Sequence, residues 1–297
     1  MGSIDNVFQQ YCFVVLGGAI LLHENSNLFW VATTIFLSNT AGLLGGGLAS
    51  MIGSTVIITG DTLFSNNVAG TDGGGVYIYH SDDQEQTLVT IYNTTTVFRR
   101  NRCETNGGGM ALIGSVSTAL ETASMAFSEN IAGVAGGAVY VSGAGFGPKF
   151  IGTRFVSNSA EMGGGVYTSG SGIAVVPNIL SAPEPQDPFT FISCEFIENK
   201  AATRGGALDT GAGIDRIVNT LFVRNTAGTG GALRLAGKAS LEGCEFIENS
   251  SNEDKGPAVY NEGMISNMSF CNFFNNVFSC ESKHFLAFNE VRCARSK

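Results

Sequence analysis

Phe127-Ser128-Glu129-Asn130, followed by Gly136-Gly137-Ala138-Val139-Tyr140, is the stretch that decides the fold. Phe155-Val156-Ser157-Asn158 with Gly163-Gly164-Gly165-Val166-Tyr167 repeats it 28 residues later. Working outward, the Phe-x-x-Asn pair recurs at Phe36/Asn39, Phe64/Asn67, Phe98/Asn101, Phe196/Asn199, Phe222/Asn225, Phe246/Asn249 and Phe273/Asn276. Phe8 with Tyr11 is a degenerate earlier copy. The first residue of a Gly pair falls at 17, 45, 73, 107, 136, 163, 205 and 230, and Gly256-Pro257 is a ninth site that has lost its second Gly. A fixed period of this kind is the signature of a repeat architecture.

Within each repeat the apolar pattern has period two, which is a strand signal. The position two after the Gly pair is always apolar: Ile20, Leu48, Val76, Met110, Val139, Val166, Leu208, Leu233 and Val259. Its neighbour varies: Leu21, Ala49, Tyr77, Ala111, Tyr140, Tyr167, Asp209, Arg234 and Tyr260. A constant apolar site beside a variable one predicts an inward column beside an outward one. Two residues before each Phe sits Thr, Met or Cys, predicted inward as well. Two or three short strands per repeat of about 27 residues describe one coil of a parallel β-solenoid. The expectation is an all-β, single-stranded parallel β-helix of about ten coils over residues 1–279, with 280–297 as a C-terminal cap or tail. Phe should stack inside. Asn should stack in a turn, where its side chains can form a ladder and its backbone tolerates left-handed geometry.

Composition agrees. Of 297 residues 40 are Gly, only 14% are charged, and the net charge is −9. The chain is too apolar for a disordered polymer, and no basic stripe exists to engage nucleic acid. The apolar run from Tyr11 to Leu22 is too short to span a bilayer. No signal peptide is visible, and the first coil begins almost at Met1, which suggests a fragment of a longer array. The seven Cys show no zinc-ligand spacing. No metal and no cofactor is expected.

The paired Phe-x-x-Asn and Gly-Gly-Ala-[Ile/Leu/Val] units, such as Phe196-Ile197-Glu198-Asn199 with Gly205-Gly206-Ala207-Leu208, resemble the repeats of the polymorphic outer membrane proteins known best from chlamydiae. The resemblance covers nearly the whole chain, about Phe8 to Asn276. It implies a right-handed, pectin-lyase-like β-helix displayed at the cell surface or outside the cell, often adhesive, and it implies no enzyme. The 21 residues after Asn276 are too few for that family's C-terminal barrel.

Two intervals are long, around His80 to Thr87 and around Val176 to Pro188, and inserted loops often mark a binding face. The plainer reading is tolerated surface loops. The outward Tyr77, Tyr140, Tyr167 and Tyr260 are binding candidates, since exposed aromatic rows hold sugar rings or protein partners; ordinary cross-strand stacking is the alternative. A host or cell-surface protein or glycan would be the partner. Asp209 and Arg234, on that column in adjacent coils, and Arg204 just before the strand form the best catalytic candidates if the chain is a polysaccharide lyase or glycoside hydrolase. Asp215 is the other acid in reach for a two-carboxylate mechanism. A cross-coil salt bridge of small value is the plainer account. Cys194, Cys244 and Cys271 share one interior site and read as small buried residues; a Cys244–Cys271 disulfide has poor geometry. Cys280 and Cys293 can pair in an oxidising compartment. The leading expectation is a non-catalytic surface module for adhesion or display.

Overall fold

The computed structural model describes residues 6–8, 14–30, 33–80, 88–91, 95–114, 117–119, 124–143, 148–169, 189–211, 214–253 and 255–278. These residues contain strands and turns but no helix, and the chain climbs as a parallel β-solenoid. Each coil has four sides. The first is a ten-stranded sheet from Asn6–Phe8 to Asn272–Phe274, here the Phe sheet. The second, the corner sheet, has ten short strands from Val14–Leu16 to Val277–Phe278 and follows each Asn. The third, the Gly sheet, has nine strands from Ile20–Leu22 to Val259–Asn261 and follows each Gly pair. The fourth is split into four strands, Asn27–Trp30 to Ser117–Ala119, and five, Lys149–Ile151 to Met264–Ser269.

The motif sets the register. Phe36 pairs with Phe64, Phe98 with Phe127, and Phe155 with Phe196, although the last pair is 41 residues apart. A longer interval therefore does not shift the register. The two insertions themselves, at 81–87 and 170–188, lie outside the described residues.

The interior columns are as the periodicity requires. Phenyl rings from Phe36 to Phe273 stack with centroids 4.4–5.2 Å apart and nearly parallel planes. Those from Phe36 to Phe246 are fully buried. Removing one would cost about 3–5 kcal/mol.

Beside them runs the Asn ladder. The backbone N–H and Nδ2 of Asn130 both donate to Oδ1 of Asn158, each at 3.0 Å, and Nδ2 also donates to the Phe98 carbonyl at 2.9 Å. The same three bonds recur at Asn67, Asn101, Asn158, Asn199, Asn225 and Asn249. Each buried amide thereby satisfies two donors and two acceptor sites, which a carboxylate or hydroxyl could not do. One detail differs from the expectation. The left-handed residue at this bend is the one before the Asn: Ser38, Asn66, Arg100, Glu129, Ser157, Glu198, Arg224, Glu248 and Asn275, with φ of 49–56°. The Asn itself is spent on the ladder.

The two glycines of each pair have different duties. The first has positive φ, 66° at Gly136. The second permits close stacking of coils, since a Cβ on Gly137 would lie 2.2 Å from the Gly164 carbonyl oxygen.

Most of the Thr/Cys column is buried, and several members donate to the carbonyl two residues earlier, although Thr96 Oγ1 has no partner among the described residues and Met125 has no donor. Thr220 Oγ1 donates to the Val218 carbonyl at 3.0 Å, Cys194 Sγ to Ile192 and Cys244 Sγ to Glu242 at 3.5 Å. A short side chain with one donor fits, whether oxygen or sulfur. Cys103, Cys194, Cys244 and Cys271 are free thiols. Cys280 and Cys293, and the proposed cap at 280–297, lie outside the described residues.

The expectation of about ten coils overstates the stack slightly, for about seven turns are complete. Among the described residues the end coils are partial, and the fourth side breaks between Ser117–Ala119 and Lys149–Ile151.

Candidate functional site

The outward column of the Gly sheet carries the predicted site residues. Register places Tyr140, Tyr167, Asp209, Arg234 and Tyr260 on five consecutive rungs. At a strand spacing of about 4.8 Å this row is roughly 19 Å long.

Alternation points the column outward, but the column is less open than expected. Ala49, Ala111 and Asp209 are fully buried, and Tyr77 is 6% exposed. The Gly turn folds back over the base of these side chains, on the buried Tyr77 and the half-buried Tyr167 alike. A Cβ on Gly73 would lie 2.8 Å from Tyr77 Cβ, one on Gly163 2.9 Å from Tyr167 Cβ, and one on Gly205 2.7 Å from Asp209 Cβ. Tyr77, being buried, leaves the exposed row. Burial pushes its phenol up to about 12, with the charges of Asp72 and Tyr79 adding to the effect.

The remaining tyrosines form two groups. Tyr140 and Tyr167 are half-buried and stack with centroids 5.5 Å apart and planes 3° from parallel. The Tyr140 hydroxyl lies 3.4 Å from Ser169 Oγ. Tyr260 is also half-buried, with Lys255 Nζ 6.0 Å from its ring centroid. Asp209 and Arg234 separate the two groups.

Those two residues belong to an ion cluster. Arg204 Nε donates to Asp209 Oδ2 at 2.7 Å, and Arg234 Nη1 donates to Oδ1 at 3.1 Å. Arg234 Nη2 also donates to Glu262. The cluster thus unites the three sequence candidates and adds Glu262, which sequence reasoning missed. Its signal was its place two residues beyond Tyr260, on the rung that follows Arg234. The expected cross-coil bridge is present, and it is buried: the Asp209 side chain is 0% exposed and that of Arg234 15%. Burial pushes the Asp209 carboxyl above its usual range, and the two guanidiniums pull against it without prevailing. For Arg204, burial opposes the charge, but the bond and charge of Asp209 outweigh it, with Tyr167 adding to the rise. Both Asp209 oxygens are engaged, so it presents no free carboxyl to a substrate. The Asp215 side chain lies outside the described residues.

Elsewhere, three acids on or just beyond strands of the Phe sheet are tied to arginines at the surface. Arg154 pairs with Glu195 at 2.8 Å, Arg224 with Glu198 at 2.9 Å, and Arg100 with Glu129 at 2.7 Å. An open groove on the corner sheet is lined by Ala132, Gly133, Ser159, Ala160, Glu161 and Lys200, with Ala202 and Thr203 at its edge, and contains none of the ion cluster. Burial pushes the thiols of Cys103 and Cys194 up to about 12, and that of Cys244 to about 11, so none is a ready nucleophile. Among the described residues no three His, Cys, Asp or Glu side chains gather to hold a metal ion, and no helix is long and apolar enough to cross a membrane.

Comparison with known families gives one match. Residues 61–79 match the Chlamydia polymorphic membrane protein repeat. The segment contains one whole unit, from Phe64 and Asn67 to Gly73, Gly74 and Val76, so the resemblance read from the sequence holds. No curated protein and no solved structure matches the chain.

Proposed function

From a chain that carries a polymorphic membrane protein repeat on a parallel β-solenoid, we propose a non-catalytic, surface-displayed module for adhesion or display. The repeat family supports an outer-membrane or cell-surface setting. The observation that carries the reading is the stacked Tyr140–Tyr167 pair, held half-exposed on a rigid sheet at two adjacent rungs. Two parallel phenol faces edged by hydroxyls suit a sugar ring or an apolar protein ridge. The solenoid acts as a stiff rod, and the outer column of the Gly sheet supplies contact. A host or cell-surface glycan or protein is the proposed partner.

The alternative, a polysaccharide lyase or glycoside hydrolase, draws its support from the Arg204, Asp209, Arg234 and Glu262 cluster. Such chemistry needs an acid or base within reach of the substrate. Asp209 is sealed and doubly bonded instead, which favours a structural clamp.

The test is direct binding by the intact chain. Immobilised protein should bind cells and a subset of an arrayed glycan panel saturably, with no cleavage products. Absence of binding on both surfaces would sink the reading, and steady release of shortened oligosaccharides would favour the enzyme.

A further inference from the structure

The last coil is less covered than the coil beneath it. In the coil below, Leu233, Leu241, Cys244 and Phe246 face inward and are fully buried. Their partners one rung up are Val259, Met268, Cys271 and Phe273. Val259, Cys271 and Phe273 are only partly buried, and Met268 is 42% exposed. The Phe273 ring stacks on Phe246 on one face, with no described ring on the other.

The rim of this open end is apolar as well. At one corner the successive coils place Gly152, Ser193, Asn219, Gly243 and then Phe270, all with positive φ. Gly and small polar residues suit that geometry, and a bulky aromatic is an outlier there. Phe270 is 85% exposed, and Phe274 beside it is 52% exposed. An unfavourable backbone that holds a bare phenyl ring in water points to something that covers it.

We propose that residues 279–297 of the same chain dock on this end as its apolar cover, seated on Phe273 and Met268 and gripped by Phe270 and Phe274. Three observations select this occupant. The segment follows directly on Val277–Phe278, the last strand of the last coil. Its 19 residues (297 − 278) reach at most about 60 Å extended, enough to cross a coil end. It also brings matching chemistry: Phe285, Leu286, Phe288 and Val291 are apolar, and Lys283, Arg292, Arg295 and Lys297 against Glu281 and Glu290 give it a net +2. The rest of the chain is then −11 (−9 − 2), so the two are complementary in charge. Covering the free strand edge also removes a template for aggregation.

The test is amide hydrogen exchange on the full chain, alone and as Phe285→Asp/Phe288→Asp, with molar mass measured by light scattering. In the unmodified chain the amides of Asn272–Phe274 should be protected well beyond an open edge. The double variant should lose that protection by at least tenfold and bind more of a hydrophobic dye, while protection around Phe127 and Phe155 stays unchanged. Unprotected 272–274 amides in the unmodified chain would overturn the proposal without recourse to any variant. So would protection that survives the double variant, or a concentration-dependent dimer whose formation alone confers the protection, since a second copy would then be the occupant.

Discussion

The inner Phe and Asn columns of this solenoid and the outer column of its Gly sheet obey opposite rules. The Phe and Asn columns keep one residue type from Phe36 and Asn39 to Phe273 and Asn276, and every ladder Asn from Asn67 to Asn249 makes the same three bonds. The outer column of the Gly sheet changes at almost every rung, through Ala111, Tyr140, Tyr167, Asp209, Arg234 and Tyr260. The Phe and Asn columns are constrained by ring stacking and amide bonding to the members above and below, so like follows like. The outer column accepts several kinds of contact between rungs, a Tyr140–Tyr167 stack and an Asp209–Arg234 ion pair among them, so it is free to vary. The constant Phe and Asn columns and the variable column thereby lie on different sides of the coil.

That separation predicts a graded response to substitution. Asn158→Leu should have the largest effect. It strips the acceptor from both Asn130 donors and leaves the Phe127 carbonyl and Asn199 Oδ1 short of a bond. With about 1–3 kcal/mol for each buried group left unsatisfied, the loss should reach about 5 kcal/mol in urea unfolding. A loss under about 1 kcal/mol would mean that the ladder is ornamental.

Asp209→Ala comes next, at about 3 kcal/mol, because it removes the buried acid shared by Arg204 and the mostly buried Arg234, which keeps only Glu262. This cluster also sets a pH dependence. The Asp209 carboxyl is raised, so the folded chain holds its proton where the unfolded chain has released it. Its contribution is fully present below the ordinary aspartate range and declines as pH rises through the raised value. Asp209→Asn should flatten that decline in thermal melts from pH 3 upward; an unchanged profile would assign the slope to other groups.

Gly137→Ala should cost about 2 kcal/mol, since its Cβ would meet the Gly164 carbonyl oxygen and the coils must move apart. Arg154→Ala belongs at the bottom. Its partner Glu195 is 41% exposed, so denaturation should register less than about 1 kcal/mol.

The scaffold was legible because repetition reports neighbours that a single strand cannot. Ten Phe in one register predicted the stacked rings, and Thr, Met and Cys two residues earlier predicted the buried column that includes Thr96, Met125 and Cys194. The site was less legible because exposure on the outer column does not follow from alternation alone. Tyr77 and Tyr140 occupy equivalent positions in the repeat, yet Tyr77 is buried beside the Gly73 turn and Tyr140 is not. Likewise Asp209 and Arg234 were placed together by register, while Arg204 reached them by its side chain and Glu262 joined from the next coil. Side-chain reach across coils leaves no periodic trace.

The central claim is that the outer column recognises while the inner columns hold the fold. Its most direct test is Tyr140→Ser/Tyr167→Ser, measured for both thermal midpoint and saturable binding to cells or arrayed glycans. Loss of at least tenfold in binding, with the midpoint within about 2 °C of the parent, is the predicted result. Undiminished binding, or a loss that merely follows unfolding, would contradict it.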